Sequence, residues 1–220
     1  GKSTLLNHLL GQKISITSRR PQTTRHRIHG IKTTSKGQAV FVDTPGIHAN
    51  EKRAMNRYLN RAAGTAFSDV DVILWVIDKP EFLPEDELVL KRIRQANLPV
   101  ILAINKIDRI DDKELLLPFL QAAEDEFSFA AMIPLSALRG LNLEELETTL
   151  FEYLPEGDLI FPEDQVTDRS MRFMASEIIR EKLIRSLGQE VPHALTVEIE
   201  EYKVEEGLTR IRALILVERS

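Results

Sequence analysis

Two stretches leave this chain little freedom in how it folds: "VILWVI" at 72–77 and "PVILAI" at 99–104. Neither alternates apolar with polar residues. A strand with water on one face shows that alternation, so an unbroken apolar run of strand length must be covered on both faces. Each is far short of the roughly 20 apolar residues a transmembrane helix needs. Helical patterns stand between the runs. Residues 3–10 bring Leu5, Leu6, Leu9 and Leu10 together and stop at Gly11, a residue suited to a helix C-cap. "PEDELVLKRIRQAN" begins with Pro84 and acidic residues, as helix first turns do, and spaces Leu88, Ile93 and Ala96 along its length. "DKELLLPFLQAAEDEF" reads as a helix interrupted at Pro118, and "NLEELETTLFEYL" and "NEKRAMNRYLNRAAGTAF" read as two more. "QAVFVD", ending at Asp43, and "AMIPLS" are further strands, and another strand is expected in the second half of the basic stretch 12–37. The expected fold is α/β: a parallel sheet with helices on both faces. In such sheets ligands sit beyond the carboxyl ends of the strands.

Those strand ends carry the unusual residues: "DTPG" after the first, "NKID" after "PVILAI", and "SAL" after "AMIPL". "GKST" at residues 1–4 matches the close of a phosphate-binding loop, G-x-x-x-x-G-K-[ST]. Gly1, Lys2, Ser3 and Thr4 are therefore candidate phosphate contacts. Lys2 would reach the terminal phosphates, Ser3 would ligate Mg²⁺, and the helix N-terminus behind them favours an anion. In "DTPG", comprising Asp43, Thr44, Pro45 and Gly46, Asp43 would hold Mg²⁺ through water. Gly46 would bring its N–H to a terminal phosphate without a side chain in the way.

"NKID" carries base chemistry. Guanine presents N1–H and an exocyclic amine on one edge, and a carboxylate accepts from both at once. Adenine offers no such pair. Asp108 would select guanine, Asn105 would reach another edge of the base and tie loops together, and the stem of Lys106 would cover the ring. Such charge-assisted contacts discriminate by roughly 1–3 kcal/mol each. Ser136 and Ala137 would let backbone N–H groups approach the guanine carbonyl.

Order turns these separate signals into one. GKS, a Thr-bearing polar loop, D-x-x-G, N-K-x-D and S-A together resemble the motif array of the Ras-like P-loop GTPases. "PQTTRHR" lies where those proteins have their first switch. Thr24 is the candidate for the switch residue that meets Mg²⁺ and the γ-phosphate, with Thr23 the adjacent alternative. Lys2, Thr24 and Gly46 form the candidate catalytic set, and Ser3, Thr24 and Asp43 the candidate metal set. Arg19, Arg20, Arg25 and Arg27 read equally as a solvated loop or as phosphate and RNA contacts. Ras-type enzymes place a water-orienting Gln where this chain has Ile47, and an aliphatic side chain cannot bond water. The chain thus resembles the subgroup with a hydrophobic residue there, in which K⁺ often assists.

The resemblance narrows further. "GKSTLLNHLLGQKISITSRRPQTTRHRIHGI", "VDTPG", "FPEDQVTDRSMRFMASEIIREKLIRSLGQEVPHALTVEIE" and "LILVER" resemble the Era family of bacterial GTPases along essentially the whole chain. That resemblance implies a GTPase domain over 1–154, a linker over 155–168, and over 169–220 the opening part of a KH domain. It implies GTP hydrolysis, binding to 16S rRNA, assistance to maturation of the small ribosomal subunit, and a cytoplasmic location with a peripheral inner-membrane fraction. Within the last segment, Asp168 is the expected N-cap of an amphipathic helix. Leu195, Val197 and Ile199 form one face of a strand, and "RIRALILVE" pairs with it as a hairpin.

Two departures are visible. The chain opens on the closing half of the phosphate loop, without the first sheet strand, so as written it is expected to bind GTP weakly. No GXXG, the backbone-clamping loop of KH domains, follows residue 168, and residues 169–220 balance nine Lys/Arg against nine Asp/Glu. RNA binding is therefore implied by the resemblance and not by a basic patch.

Composition agrees without deciding. With 43% hydrophobic and 29% charged residues the chain suits an ordinary globular fold, and its net charge of −5 does not by itself point to nucleic-acid binding; no DNA partner is expected. No Cys is present, which excludes disulfides, thiolate metal sites and thiol nucleophiles and suits a reducing compartment. The close pair His26 and His29 has no Cys or Glu beside it to complete a metal site. A P-loop kinase or ATPase shares GKST but not N-K-x-D. A nucleotide-gated interaction module without hydrolysis shares every motif.

Overall fold

The computed structural model describes residues 1–17, 24–44, 69–110, 114, 116–186 and 195–217. The helix expected at 50–67 lies outside them.

β3 (Ile73–Ile77), β4 (Val100–Ile104) and β5 (Ala131–Pro134) form a parallel sheet in that order. β4 is its middle strand, and its five residues are all 0–1% exposed. Strand geometry sends alternate side chains to opposite faces. Val100, Leu102 and Ile104 pack with Trp75 of β3, with Leu90 and Ile93 of α2 (Pro84–Ala96), and with Phe119 and Ala123 of α3 (Leu116–Glu126). Ile101 and Ala103 face the other way. They pack with Leu5 and Leu9 of α1 (Lys2–Leu10) and with Leu146 and Leu150 of α4 (Leu143–Glu152). The two-sided cover required by the apolar runs is present.

β1 (Ile28–Thr34) and β2 (Gly37–Asp43) form an antiparallel hairpin whose register sets Ile28 opposite Asp43. Gly11 ends α1 in the left-handed conformation, with φ 65°. Pro118 does not interrupt α3. It lies in the helix's first turn, where a missing N–H costs nothing because no carbonyl precedes it in register.

The remaining residues form α5 (Met171–Ser186) and the antiparallel hairpin β6 (Leu195–Glu205) and β7 (Leu208–Val217). Glu206 and Gly207, both at positive φ, make its two-residue turn. Leu195 and Val197 are buried, as the alternation implies. Residues 159–168 run along the β1–β2 hairpin. The Gln38 side chain accepts from the N–H groups of Ile160 and Phe161 and donates to the Phe161 carbonyl, and Gly30 bridges to Thr167.

Two expectations for α5 change. Asp168 is engaged elsewhere, with its carboxylate on the His29 backbone N–H and on His29 Nδ1. Ser170 caps the helix, its Oγ accepting from the Phe173 N–H at 3.3 Å. The helix is also not simply amphipathic: its buried residues are Glu177, Arg180, Glu181 and Ile184. Arg180 donates twice to Glu177, through Nε and Nη2, each bond 2.7 Å.

Glu181 reaches across to the segment after α1. Its Oε1 accepts from the Thr17 N–H at 2.9 Å, the Thr17 hydroxyl at 3.2 Å and Arg185 at 2.8 Å, and its Oε2 accepts from Lys13. Burial pushes the Glu181 carboxyl up, but the bonds from Lys13 and Thr17 and the charges of Lys13 and Arg185 outweigh it and hold the group below the usual range. A folded-state value below the unfolded one, about 4.3, gives stability that is full above that pH and is lost as pH falls through the lower folded value. Glu181→Gln is expected to lower stability near neutral pH by roughly 1–3 kcal/mol. Urea midpoints measured across pH check it: the gap to the unaltered chain should narrow as pH falls below about 4.3 and close only once pH is below the lower folded-state value.

Candidate functional site

The strand ends deliver polar groups to one edge of the fold. β2 ends on Asp43, which is 5% exposed. Its Oδ2 accepts from Ser3 Oγ at 2.9 Å, from Ser15 Oγ at 2.6 Å and from Thr24 Oγ1 at 3.4 Å, while Ser3 and Thr24 hydroxyls lie 3.0 Å apart. The three candidate metal ligands, 19 to 40 positions apart in the chain, thus meet at one point. Two hydroxyls and one carboxylate form an all-oxygen donor set of the kind Mg²⁺ takes, since that ion keeps several waters and needs few protein ligands. Among the described residues no group of three His, Cys, Asp or Glu forms a richer metal cage.

Gly1 precedes α1 without a side-chain cap, so the N–H groups of Lys2, Ser3 and Thr4 in the first turn are available to an anion. Lys2 keeps solvent contact at its surface edge. Protein packed around its ammonium still pushes its pKa below the usual lysine value, with the Asp43 carboxylate pulling the other way. Thr44 is half-buried beside Asp43. Pro45, Gly46, Ile47 and Thr23 lie outside the described residues, as do Arg19 and Arg20.

The second cluster is built from the ends of β3, β4 and β5. Asn105, 3% exposed, continues β4, and its N–H donates to the Ile77 carbonyl of β3 at 2.8 Å. Its Oδ1 accepts from the Lys106 N–H at 2.8 Å and the Ala137 N–H at 2.9 Å, which ties the loop after β4 to the loop after β5. Lys106 takes a left-handed backbone, φ 67°, and its ammonium bonds the Asp78 carboxylate at the end of β3. That bond, despite burial, lowers the Asp78 pKa, with the Lys106 charge adding to it. Asp108 is exposed at the rim. Ser136 Oγ donates to its Oδ1 at 2.5 Å, which is the main reason its pKa is lowered, so it stands as a carboxylate facing solvent.

One detail departs from the sequence reading. The backbone N–H groups of Ser136 and Ala137 are both engaged within the protein, on the Leu141 carbonyl and on Asn105 Oδ1. The loop's tight return from Leu141 to Ser136 consumes the first, and the Asn105 tie consumes the second.

Sequence reasoning missed Ser15 and Asp78. Ser15 stands between Ile14 and Ile16, a pattern that reads as a polar residue turned to solvent, yet all three are buried. Asp78 did carry a signal, since it follows β3 as Asn105 follows β4 and the register pairs Ile77 with Ile104.

A parallel sheet with helices on both faces, a lysine and hydroxyls at the N-terminus of α1, and an N-K-x-D loop at the sheet's carboxyl edge define the chain as a P-loop GTPase. The family model for 50S ribosome-binding GTPases matches residues 1–106. The chain is 58% identical over 220 residues to GTPase Era of Haemophilus influenzae (strain PittGG), covering 100% of itself and 73% of that protein. It is 54% identical over 219 residues to GTPase Era of Marinobacter nauticus, covering 72% of it. Among solved structures it matches Aquifex aeolicus Era bound to GDP·AlF4⁻, with TM-score 0.93 and 39% identity over 100% of this chain and 75% of that one. It also matches Era in complex with MgGDPNP and nucleotides 1506–1542 of 16S ribosomal RNA, with TM-score 0.92, 40% identity and the same coverage. The chain belongs to the Era family of GTPases.

Asn105 serves structure as well as any ligand. Asn105→Ala leaves the buried Ala137 N–H without its acceptor and is expected to cost about 1–3 kcal/mol of stability before any nucleotide is added. Chemical denaturation without nucleotide measures it, and an unchanged midpoint would refute the tie.

Proposed function

We propose that this chain is a GTP-binding and GTP-hydrolysing switch that binds 16S rRNA and assists assembly of the small ribosomal subunit in the cytoplasm. The observation that carries the enzymatic part is the meeting of Ser3, Thr24 and Asp43 beside Lys2 and the α1 N-terminus. The Era complex with MgGDPNP and a 16S rRNA segment supports the nucleotide, the metal and the RNA as the partners.

In this reading Gly1, Lys2, Ser3 and Thr4 hold the β- and γ-phosphates. The Lys2 ammonium neutralises charge that shifts toward the β–γ bridging oxygen as that bond breaks. Ser3 and Thr24 would hold Mg²⁺ through their hydroxyls and Asp43 through water; bound there, the ion would supply positive charge against the phosphates. Thr44, Pro45 and Gly46 carry the proposed γ-phosphate contact, Gly46 through its backbone N–H. Attacking water forms the new P–O bond, GDP leaves on the bridging oxygen, and the water's proton passes to the released phosphate. Asp108 accepts from guanine N1–H and the exocyclic amine. The aliphatic stem of Lys106, tethered by Asp78, lies against the ring. Ser136 and Ala137 shape the pocket's far wall, and Asn105 holds the two loops in register.

The domains proposed are 1–154 for the GTPase, 155–168 for the linker, and 169–220 for the KH part, to which α5 and the β6–β7 hairpin belong. Among the described residues no helix is long and apolar enough to cross a membrane. A peripheral inner-membrane fraction remains part of the proposal on the resemblance alone.

Asp108→Ala is expected to remove most of the preference for GTP over ATP, by about 10- to 100-fold, since each such contact is worth roughly 1–3 kcal/mol. Competition of the two nucleotides for the purified protein reads it out, and retained selectivity would sink the base-reading role. Ile47 favours a second reading, a nucleotide-gated interaction module with little hydrolysis. Turnover in K⁺ against Na⁺ separates the two: stimulation by K⁺ supports the enzyme with K⁺ as its second cation. Absence of turnover in either salt, with and without RNA, supports the module.

A further inference from the structure

The carboxylate of Asp43 receives three hydroxyls on the same oxygen, Oδ2, and the Mg²⁺ reading uses only two of them. Ser15 is left over. Its bond is the shortest of the three, 2.6 Å against 2.9 and 3.4 Å, and its residue is the most buried, 1% exposed.

Ser15 is also the most firmly held. Asn7, on α1, turns its side chain onto the irregular segment that follows. Asn7 Oδ1 accepts from the N–H groups of Ile14 at 3.0 Å and Ser15 at 2.9 Å, and Asn7 Nδ2 donates to the Ser15 carbonyl at 2.7 Å. Ile14 and Ile16, at 4% and 3% exposure, anchor the segment on either side. The backbone that presents the Ser15 hydroxyl is thus fixed to the same helix whose first turn carries Lys2 and Ser3. Ser3 and Thr24 are different in kind. Each must turn a lone pair toward a cation when one arrives, and their bonds to Asp43 then change. The Ser15 hydroxyl has no such second duty. Its proton has Asp43 as its acceptor throughout.

We propose that Ser15 is a positioning residue for the metal site. It pins Asp43 Oδ2 from the buried side, so that the carboxylate stands ready for the water shell of Mg²⁺ before the ion binds. Among the described residues every hydrogen bond to the Asp43 carboxylate falls on Oδ2, which leaves Oδ1 for that shell. Preorganisation of this sort removes the cost of ordering a carboxylate at the moment of binding. The inference rests on the metal role given to Asp43 above and adds a residue to it.

The test measures release of a fluorescent GDP analogue from the full-length protein as Mg²⁺ is titrated. Variants Ser15→Ala, Ser15→Cys and Asp43→Ala are compared with the unaltered protein. Ser15→Ala is expected to raise the Mg²⁺ midpoint about tenfold, the loss of one hydrogen bond to a charged acceptor. Ser15→Cys, nearly the same shape but a weak donor, should fall between the two. The preference for GDP over ADP, set some distance away at Asp108, should hold in both. A packing defect would move selectivity and urea midpoint together and would not rank Cys between Ser and Ala. If Ser15→Ala and Ser15→Cys leave the Mg²⁺ midpoint where it was while Asp43→Ala shifts it, Ser15 has no positioning role. If Asp43→Ala also leaves it unchanged, the metal assignment itself fails. Should Ser15→Ala not fold, the Cys variant alone decides by its midpoint.

Discussion

The site depends on the complete burial of β4. Five consecutive residues with almost no solvent contact require helices on both faces, and those helices fix where the strand's end must lie. Asn105 is the first residue after that run, and its side chain ties the loops after β4 and β5. Apolar packing therefore positions groups that are themselves polar. Loosening the packing under Leu102 or Ile104 would displace Asn105, and with it Lys106 and Asp108, because Asn105 directly continues the strand.

Charge does the corresponding work between α5 and the segment after α1. Glu181 has no solvent contact, yet Lys13, Thr17 and Arg185 satisfy its carboxylate. A buried carboxylate without those donors would cost several kcal/mol, so the geometry of α5 against Thr17 is narrowly specified. Arg25 adds a bond from beyond Thr24 to the Leu195 carbonyl of β6. Thr24 is thus flanked on both sides in sequence by residues that grip α5 or β6.

Much of this was legible in the chain, for physical reasons that differ by element. Unbroken apolar runs admit only one kind of strand, and β3 and β4 lie where those runs are. Gly11 ends α1 because its backbone can reach the left-handed region. Ser3 and Asp43 were nameable from the phosphate-loop and D-x-x-G motifs and Thr24 from the resemblance of its loop to a GTPase first switch, and folding brings the three together. What resisted reading was polar burial. Ser15 between two isoleucines follows the rule for an outward-facing residue, and only the presence of Asp43 behind it explains the inversion. Glu177, Arg180 and Glu181 look like a solvated helix face, because sequence cannot show that each charge finds a partner. Pro118 reads as a break, yet its place in the helix's first turn, which sequence leaves uncertain by a few residues, makes it harmless.

Three acids of the site share a location and a support. Asp43, Asp78 and Asp108 are acids at or just past strand ends, and each receives a donor from another segment: Ser15, Lys106 and Ser136. A carboxylate left to itself at the edge of an apolar core would swing toward water. Held by a donor it stays aimed. The core supplies the rigid edge and the donors supply the orientation. A nucleotide site needs both, since phosphate, metal and base are all recognised by charge at fixed distance. The donors are therefore as much a part of the site as the acids, even where no ligand touches them.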